Sequence, residues 1–218
     1  DTVVVDFAGG NPISLSGLCF NGNGQSSMPG DTMTLRAGAA DQVMHTFINE
    51  HDGSIGVQIG GINSMISYTG LEPVLDNLDV DNRIFTFTGG AETITLSDDA
   101  GGANGQSRID STLGEVVTFT NPTTSLTVNA GGGPNTVNVT GLDAGYQHVP
   151  LTINGGSDAD TVSINDLPGT LANLITINLG SGATDTVTLN GTGGPDVVSV
   201  SLDGSVVDTT RIFDCSDG

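Results

Sequence analysis

A repeat of about 25 residues constrains this chain more than any other feature of its sequence. Three segments align closely, at residues 126–139, 151–164 and 175–189, and their starts lie 25 and 24 residues apart. Each has an apolar–Thr–apolar strand, a Gly-rich corner, and a second strand preceded by Asp or Asn and opening with Thr. Because a short strand with one apolar face cannot bury that face alone, successive units must stack on one another.

This repeat predicts an all-β fold, specifically a β-solenoid of the parallel β-helix type with coils of about 25 residues. Equivalent strands would then stack about 4.8 Å apart around an apolar interior, with glycines providing the positive φ values of tight corners. Asn129, Asn154 and Asn178 share one motif position, which predicts a ladder of amides, each bonded to the next. A β-sandwich remains the alternative, since it also has short strands at close spacing.

The repeat divides the chain into two parts. Residues 1–84 are an irregular N-terminal β part, and residues 85–218 carry the regular repeats; the two could also form one continuous solenoid domain. In the first part, alternating apolar residues predict strands at 43–48, 54–59 and 64–69. Residues 71–78 could be a helical turn or a bulky corner.

Charge excludes several classes of function. The chain has 25 acidic residues against four basic ones and a formal net charge of −21, and it contains no lysine. Such a surface repels phosphate backbones, so we expect no nucleic-acid partner. No apolar run approaches the roughly 18 residues of a membrane span, so we expect no membrane insertion.

Five segments carry a resemblance to a known kind of repeat. They are residues 1–3, 7–13, 68–73, 85–99 and 109–115. Together they resemble a repeat unit of very large bacterial secreted and surface proteins with Gly/Asp-rich, hemolysin-type-like β-solenoid repeats. The resemblance implies a modular extracellular structure, an adhesin or a matrix component, and it transfers no catalytic residue. The two cysteines depart from that repeat, which is generally cysteine-free.

Calcium is the cofactor that the sequence suggests. Residues 155–162 are similar to the hemolysin-type calcium nonapeptide, in which a glycine corner and an aspartate form an oxygen cage, although Asp158 stands where glycine is usual. The residues predicted to bind calcium are Asp158, Asp160 and Asp185 at the corners, Asp76, Asp79 and Asp81, and the pair Asp98 and Asp99. All of these aspartates could equally be hydrated side chains without a metal, because isolated motif matches are weak.

Cys19 and Cys215 are the only cysteines and are the disulfide candidates. A bridge within one straight solenoid would have to join its two distant ends. A bridge between copies, from the end of one to the start of the next, avoids that conflict. Two buried reduced thiols are the third interpretation.

The first residues supply only the second half of a unit, which predicts an open edge at that end. We therefore expect a structural extracellular or cell-surface protein that polymerises head to tail with itself, or a segment packed against neighbouring repeats of a larger chain. The alternative is a calcium-dependent adhesin or a module that binds surface glycans.

Enzymatic activity is not expected. None of the three histidines lies in a zinc-type spacing or beside a recognisable nucleophile motif. Aromatic residues make up only 4% of the chain, which leaves few side chains to stack on sugar rings.

Overall fold

The computed structural model describes residues 1–23, 30–146, 149–165, 175–181 and 184–190. This part of the chain is all-β, as predicted: it forms two mixed sheets and contains no helix. Accordingly, no helix of the described residues has the length and apolar character to cross a membrane. Residues 191–218, the end of the predicted regular repeats, lie outside the described residues.

The first sheet has nine strands. In spatial order they are β1 (Thr2–Asp6), β3 (Thr32–Arg36), β7 (Val74–Asp76), β11 (Gly114–Thr120), β10 (Gln106–Ser111), β9 (Thr93–Asp98), β13 (Thr136–Val139), β15 (Thr161–Ile164) and β17 (Thr186–Leu189).

The second sheet has eight strands. In spatial order they are β16 (Ile175–Gly180), β14 (Leu151–Gly156), β12 (Ser125–Asn129), β8 (Asp79–Phe87), β4 (Ala39–Phe47), β5 (Gly53–Ile59), β6 (Ile62–Thr69) and β2 (Leu18–Asn21).

From β12 to β17 the chain alternates between the two sheets. Each strand pairs in parallel with the strand one repeat later, so that Val137 lies opposite Val162, and Val162 opposite Val187. The pairing distance along the chain is therefore the sequence repeat itself. Since the apolar residues of each unit occupy the same register, they form continuous rows on the inner faces of the sheets.

Two antiparallel segments interrupt this pattern. β4, β5 and β6 are antiparallel neighbours in the second sheet, and β9, β10 and β11 are antiparallel neighbours in the first. The second segment falls within the part that the sequence predicts to be regular from residue 85. The repeat resumes after it, because β13 pairs in parallel with β9 and β12 with β8.

The N-terminal strands agree with the predicted runs, and residues 71–78 contain strand β7. The helical turn considered there is wrong, because Val74 and Asp76 point inward from a strand that pairs with both β3 and β11. The proposed division between residues 84 and 85 falls inside β8. One cluster of buried apolar side chains extends from Val5 to Ile164 and includes residues of both parts.

The predicted asparagine ladder is confirmed. Asn154 Nδ2 donates to Asn129 Oδ1 at 2.7 Å, and Asn178 Nδ2 donates to Asn154 Oδ1 at 2.9 Å. Asn129 Nδ2 continues the ladder to the hydroxyl of Thr86 at 3.0 Å. Each amide therefore links one repeat to the preceding one.

The glycines after this ladder form a column in which backbone approaches backbone. A Cβ on Gly156 would lie 2.2 Å from the carbonyl oxygen of Gly131, and one on Gly180 would lie 1.8 Å from that of Gly156. Gly180 also has a φ of 78°, which L side chains rarely adopt. Glycine is required here chiefly because the backbones of successive repeats come too close for any side chain.

Candidate functional site

The aspartates predicted as calcium ligands at the repeat corners bind backbone N–H groups. Asp160 Oδ1 accepts from the N–H of Asn135 at 2.9 Å, and its Oδ2 accepts from Gly156 at 2.8 Å. Asp185 Oδ1 accepts from the N–H of Asp160 at 3.0 Å. Both corner carboxylates therefore join successive repeats, a role that requires no metal.

The same contact recurs earlier in the chain with a different side chain. The N–H of Glu92 donates to Asn135 Oδ1 at 3.1 Å, so asparagine and aspartate are equivalent at this rung. Near the start of the chain, Asp31 accepts from the amino group of Asp1. This contact explains why Asp or Asn precedes Thr in the repeat. We call the series Glu92, Asn135, Asp160 and Asp185 the carboxamide–carboxylate ladder.

Asp158 forms a hydrogen bond with the glycine corner of the neighbouring repeat. Its Oδ2 accepts from the N–H of Gly133, 25 positions earlier, at 2.9 Å. The residue that departs from the calcium motif thus binds the glycine corner of the preceding repeat.

The structure does not bring Asp76, Asp79 and Asp81 together. Asp76 points from β7 into the core with no exposed surface, whereas Asp79 and Asp81 are exposed on β8 of the other sheet. Asp81 accepts from the hydroxyl of Thr123 at 2.9 Å. Their closeness in sequence is therefore misleading, because the chain changes sheets between residues 76 and 79.

Asp76 belongs to a buried ionic group. It forms an ion pair with Arg83 Nη1 and accepts from His45 Nε2 at 2.9 Å, and all three side chains have no exposed surface. Burial alone would raise the pKa of Asp76, but the Arg83 charge and the His45 hydrogen bond outweigh it and lower the pKa to about 2. Burial also lowers the pKa of His45, so the ring is neutral and donates from Nε2.

Asp98 and Asp99 lie at the end of β9, where the turn towards β10 begins. Asp99 Oδ1 accepts from the N–H of Gly101 at 2.7 Å, and Asn104 Nδ2 donates to the same carboxylate. The hydrogen bond from Asn104 lowers the pKa of Asp99, whereas desolvation and the nearby Asp143 raise the pKa of Asp98. These hydrogen bonds stabilise the turn between β9 and β10.

Within the described ranges, no group of three or more His, Cys, Asp or Glu side chains is placed to hold a metal ion. The predicted calcium residues are thus dispersed over the corners, the core and one turn. Calcium at these residues stays a prediction.

Cys19 is exposed on β2 and is free. The interpretation as a buried thiol does not fit it. Cys215 lies outside the described residues, so the pairing of the two cysteines stays a prediction.

Among the described residues, the strands β1 and β2 each lie at one end of their sheet and pair only with β3 and β6 respectively. Large apolar side chains are exposed around them: Val4 at 48%, Leu15 at 86% and Leu18 at 36%. Val3 and Phe20 are only partly buried where the core reaches these strands. We call the surface formed by β1, β2 and Leu15 the open edge.

A second surface feature is a cleft of about 160 Å³, formed by residues of β10 and β11 and by the segments around Glu50 and Glu72. Four carboxylates line it: Glu50, Glu72, Asp110 and Glu115. Burial and the charges of Glu72 and Asp110 raise the pKa of Glu115 to about 8. We call it the acidic cleft.

Sequence reasoning missed the acidic cleft and the buried ionic group. Glu72 and Glu115 lie in segments 68–73 and 109–115, which the resemblance singled out, but nothing in the sequence places those segments side by side. The sequence contains one weak indication of the buried ionic group. Arg83 is one of only four arginines and lies in a strand just before Ile84 and Phe85.

Comparison with known proteins gives no relative: no family model, no curated protein and no solved structure matches this chain. Its function must therefore be argued from these surfaces.

Proposed function

We propose that the chain is a structural, extracellular β-solenoid module whose copies associate end to end through the open edge. In this proposal the two sheets are the two faces of one coil, and the antiparallel segments are hairpins inserted into it. The parallel pairing at 24–25 residues supports the coil, because each repeat contributes one strand to each sheet.

The observation that carries the proposal is the pair of edge strands with exposed apolar residues. An unpaired strand presents a row of N–H and C=O groups that favours pairing with another chain. Leu18 lies opposite the buried Ile66, so its side chain continues a core row while remaining 36% exposed. A further coil laid on β1 and β2 would bury that row.

A second copy is the occupant that the repeat favours. Asp1 occupies the motif position of Asp31, Asp160 and Asp185, and its side chain is 93% exposed. In the ladder, the carboxylate at this position accepts an N–H from the preceding coil. A strand of the same pattern from another copy would supply that N–H, and the contact does not close on itself, so it generates filaments.

The test compares two double variants by sedimentation velocity and electron microscopy. Leu15→Lys/Leu18→Lys places charges on the open edge. Ile48→Lys/Ile62→Lys is the matched control, because these residues are 59% and 57% exposed, Ile48 in the turn after β4 and Ile62 at the first position of β6. We expect elongated assemblies for the wild type and the control, and monomers for the edge variant.

A wild type that stays monomeric at high concentration would refute end-to-end association. So would a control that dissociates to the same extent as the edge variant, because the contact would then involve the flank.

A further inference from the structure

The acidic cleft is built by three stretches of chain that are far apart in sequence. Glu50 lies in the turn between β4 and β5, Glu72 precedes β7, and Asp110 and Glu115 belong to β10 and β11. Ser111 and Thr112 also line it, with the Ser111 hydroxyl donating to Glu92 and the Thr112 hydroxyl accepting from the N–H of Thr93. All the side chains that could bind a ligand here present oxygen atoms.

Glu115 is the anomalous member. The residue is 1% exposed, and although its carboxyl group accepts from the N–H of Val116 at 3.1 Å, Oε2 has no hydrogen-bond partner among the residues that the structure describes. A buried carboxyl oxygen without a partner is costly, and such groups in native proteins are usually explained by an ion, a water or a functional role.

The surroundings of Glu115 increase the free-energy cost of ionising its buried carboxyl group. Glu72 and Asp110 act on it with like charge, and the buried Tyr68 hydroxyl nearby has no hydrogen-bond partner among the described residues. Arg108 binds Asp110 Oδ2 at 2.7 Å and His51 Nε2 lies 3.8 Å from Glu50 Oε2, but neither side chain lines the cleft. Carboxylates crowded in this way can be neutralised by a proton or by a cation.

We propose that the acidic cleft binds a divalent cation of the calcium class, with Glu115 as its fixed ligand. Calcium takes six to eight oxygen ligands in flexible geometry, which suits a wall of carboxylates and hydroxyls that lacks nitrogen and sulfur. The proposal is independent of the end-to-end association and of the corner aspartates.

Binding requires side chains to close around the ion, because the carboxylates are not already grouped as a metal site. Glu50 and Asp110 have side-chain exposures of 60% and 42%, so both can change rotamer at little cost. Glu115 is held by packing, which makes it the anchor around which the others turn.

The cation must also displace a proton. In the free protein the carboxyl group of Glu115 is protonated at neutral pH, because its pKa is raised to about 8. Burial and the like charges of Glu72 and Asp110 raise this pKa, the hydrogen bond from the N–H of Val116 lowers it, and Glu50 lines the same cleft. Calcium affinity is therefore expected to rise about tenfold per pH unit below pH 8 and to level off above it.

The experiment is isothermal titration of the full chain with CaCl₂ after removal of metal with EDTA, between pH 6 and 9. Glu115→Gln is the test variant: it resembles the protonated carboxyl group, so it is expected to fold. Asp41→Asn is the control, since Asp41 is an exposed acidic residue outside the cleft and is not one of the predicted calcium ligands. We expect the test variant to bind calcium at least tenfold more weakly at pH 8 and the control to match the wild type.

Proton release gives a second measurement. Heats recorded in buffers of different ionisation enthalpy should show about one proton released per calcium at pH 7 for the wild type and none for Glu115→Gln. Absence of calcium binding at pH 8, or equal affinity in Glu115→Gln and the wild type, would overturn the proposal. Tighter binding of Mg²⁺ than of Ca²⁺ would overturn the assignment to the calcium class.

Discussion

At the scale of single residues, the buried ionic group shows how the core tolerates charge. Asp76 lies in one sheet and Arg83 and His45 in the other, so the ion pair and the hydrogen bond connect the sheets through the interior. Arg83 also donates to the carbonyl of Leu78 at 3.2 Å and lies over the ring of Phe119. Buried pairs stabilise little when compared with apolar residues, but losing one partner is severe.

Asp76→Asn should therefore destabilise the fold by about 3–5 kcal/mol, because the Arg83 charge would remain buried without a counter-charge. Urea unfolding at pH 7 measures this loss. Asp79→Asn, on the exposed side of β8, should change stability by less than about 0.5 kcal/mol. Equal losses for the two variants would show that the buried charge is compensated elsewhere.

The same pair has a defined acid dependence. The pKa of Asp76 is lowered from 3.8 to about 2. The contribution of Asp76 to the free energy of unfolding is therefore complete above pH 3.8 and is lost as the pH falls towards 2. An Asp76→Leu/Arg83→Met variant, which removes both charges, should lack this part of the acid transition.

At the scale of elements, two side-chain ladders and one glycine column define the corner of the later repeats. The asparagine ladder lies at the end of the first strand, and the carboxamide–carboxylate ladder lies before the second. Between them the glycines let the backbones of successive repeats approach closely enough for both ladders to form. The ladder side chains of the corner motif therefore bind the neighbouring repeat.

Asp160→Ala should cost about 2–4 kcal/mol, because it leaves the N–H groups of Asn135 and Gly156 without their acceptor. Asp160→Asn should cost clearly less, since Asn135 already shows that an amide oxygen can serve this rung. Thermal or urea unfolding in EDTA and in calcium measures both variants.

The loss of stability in the Asp160 variants should be the same in EDTA and in calcium, because the contacts of Asp160 are hydrogen bonds to backbone N–H groups. A loss that appears only in calcium would show that Asp160 is a metal ligand, as the nonapeptide resemblance implies.

At the scale of the whole molecule, the net charge opposes the proposed assembly. Two copies that each carry −21 repel one another, and this repulsion is screened over about 10 Å in 0.1 M salt and about 3 Å in 1 M salt. An end-to-end contact of apolar residues and backbone hydrogen bonds should therefore strengthen with salt.

We expect the mean length of the assemblies to increase as NaCl rises from 0.1 to about 1 M, measured by sedimentation velocity and electron microscopy. Assemblies that dissociate as salt rises would indicate an interface held by ion pairs, and the apolar open edge would then not be the contact.

The repeat by itself determined the all-β class, the parallel register of the later strands and the asparagine ladder. These features depend on contacts between equivalent positions 24 or 25 residues apart, so the periodicity of the sequence already contains them. The role of the corner aspartates was open to two interpretations, because a hydrogen-bond acceptor and a calcium ligand place the same residue at the same position.

Only the tertiary structure decided which residues meet outside the repeat. Asp76 and Arg83 pair across the core, and Glu72 approaches Glu115 because β7 pairs with β11. The antiparallel segments around β5 and β10 were likewise not implied by the period. No local pattern relates such partners, since their contact depends on how the whole chain crosses between the sheets.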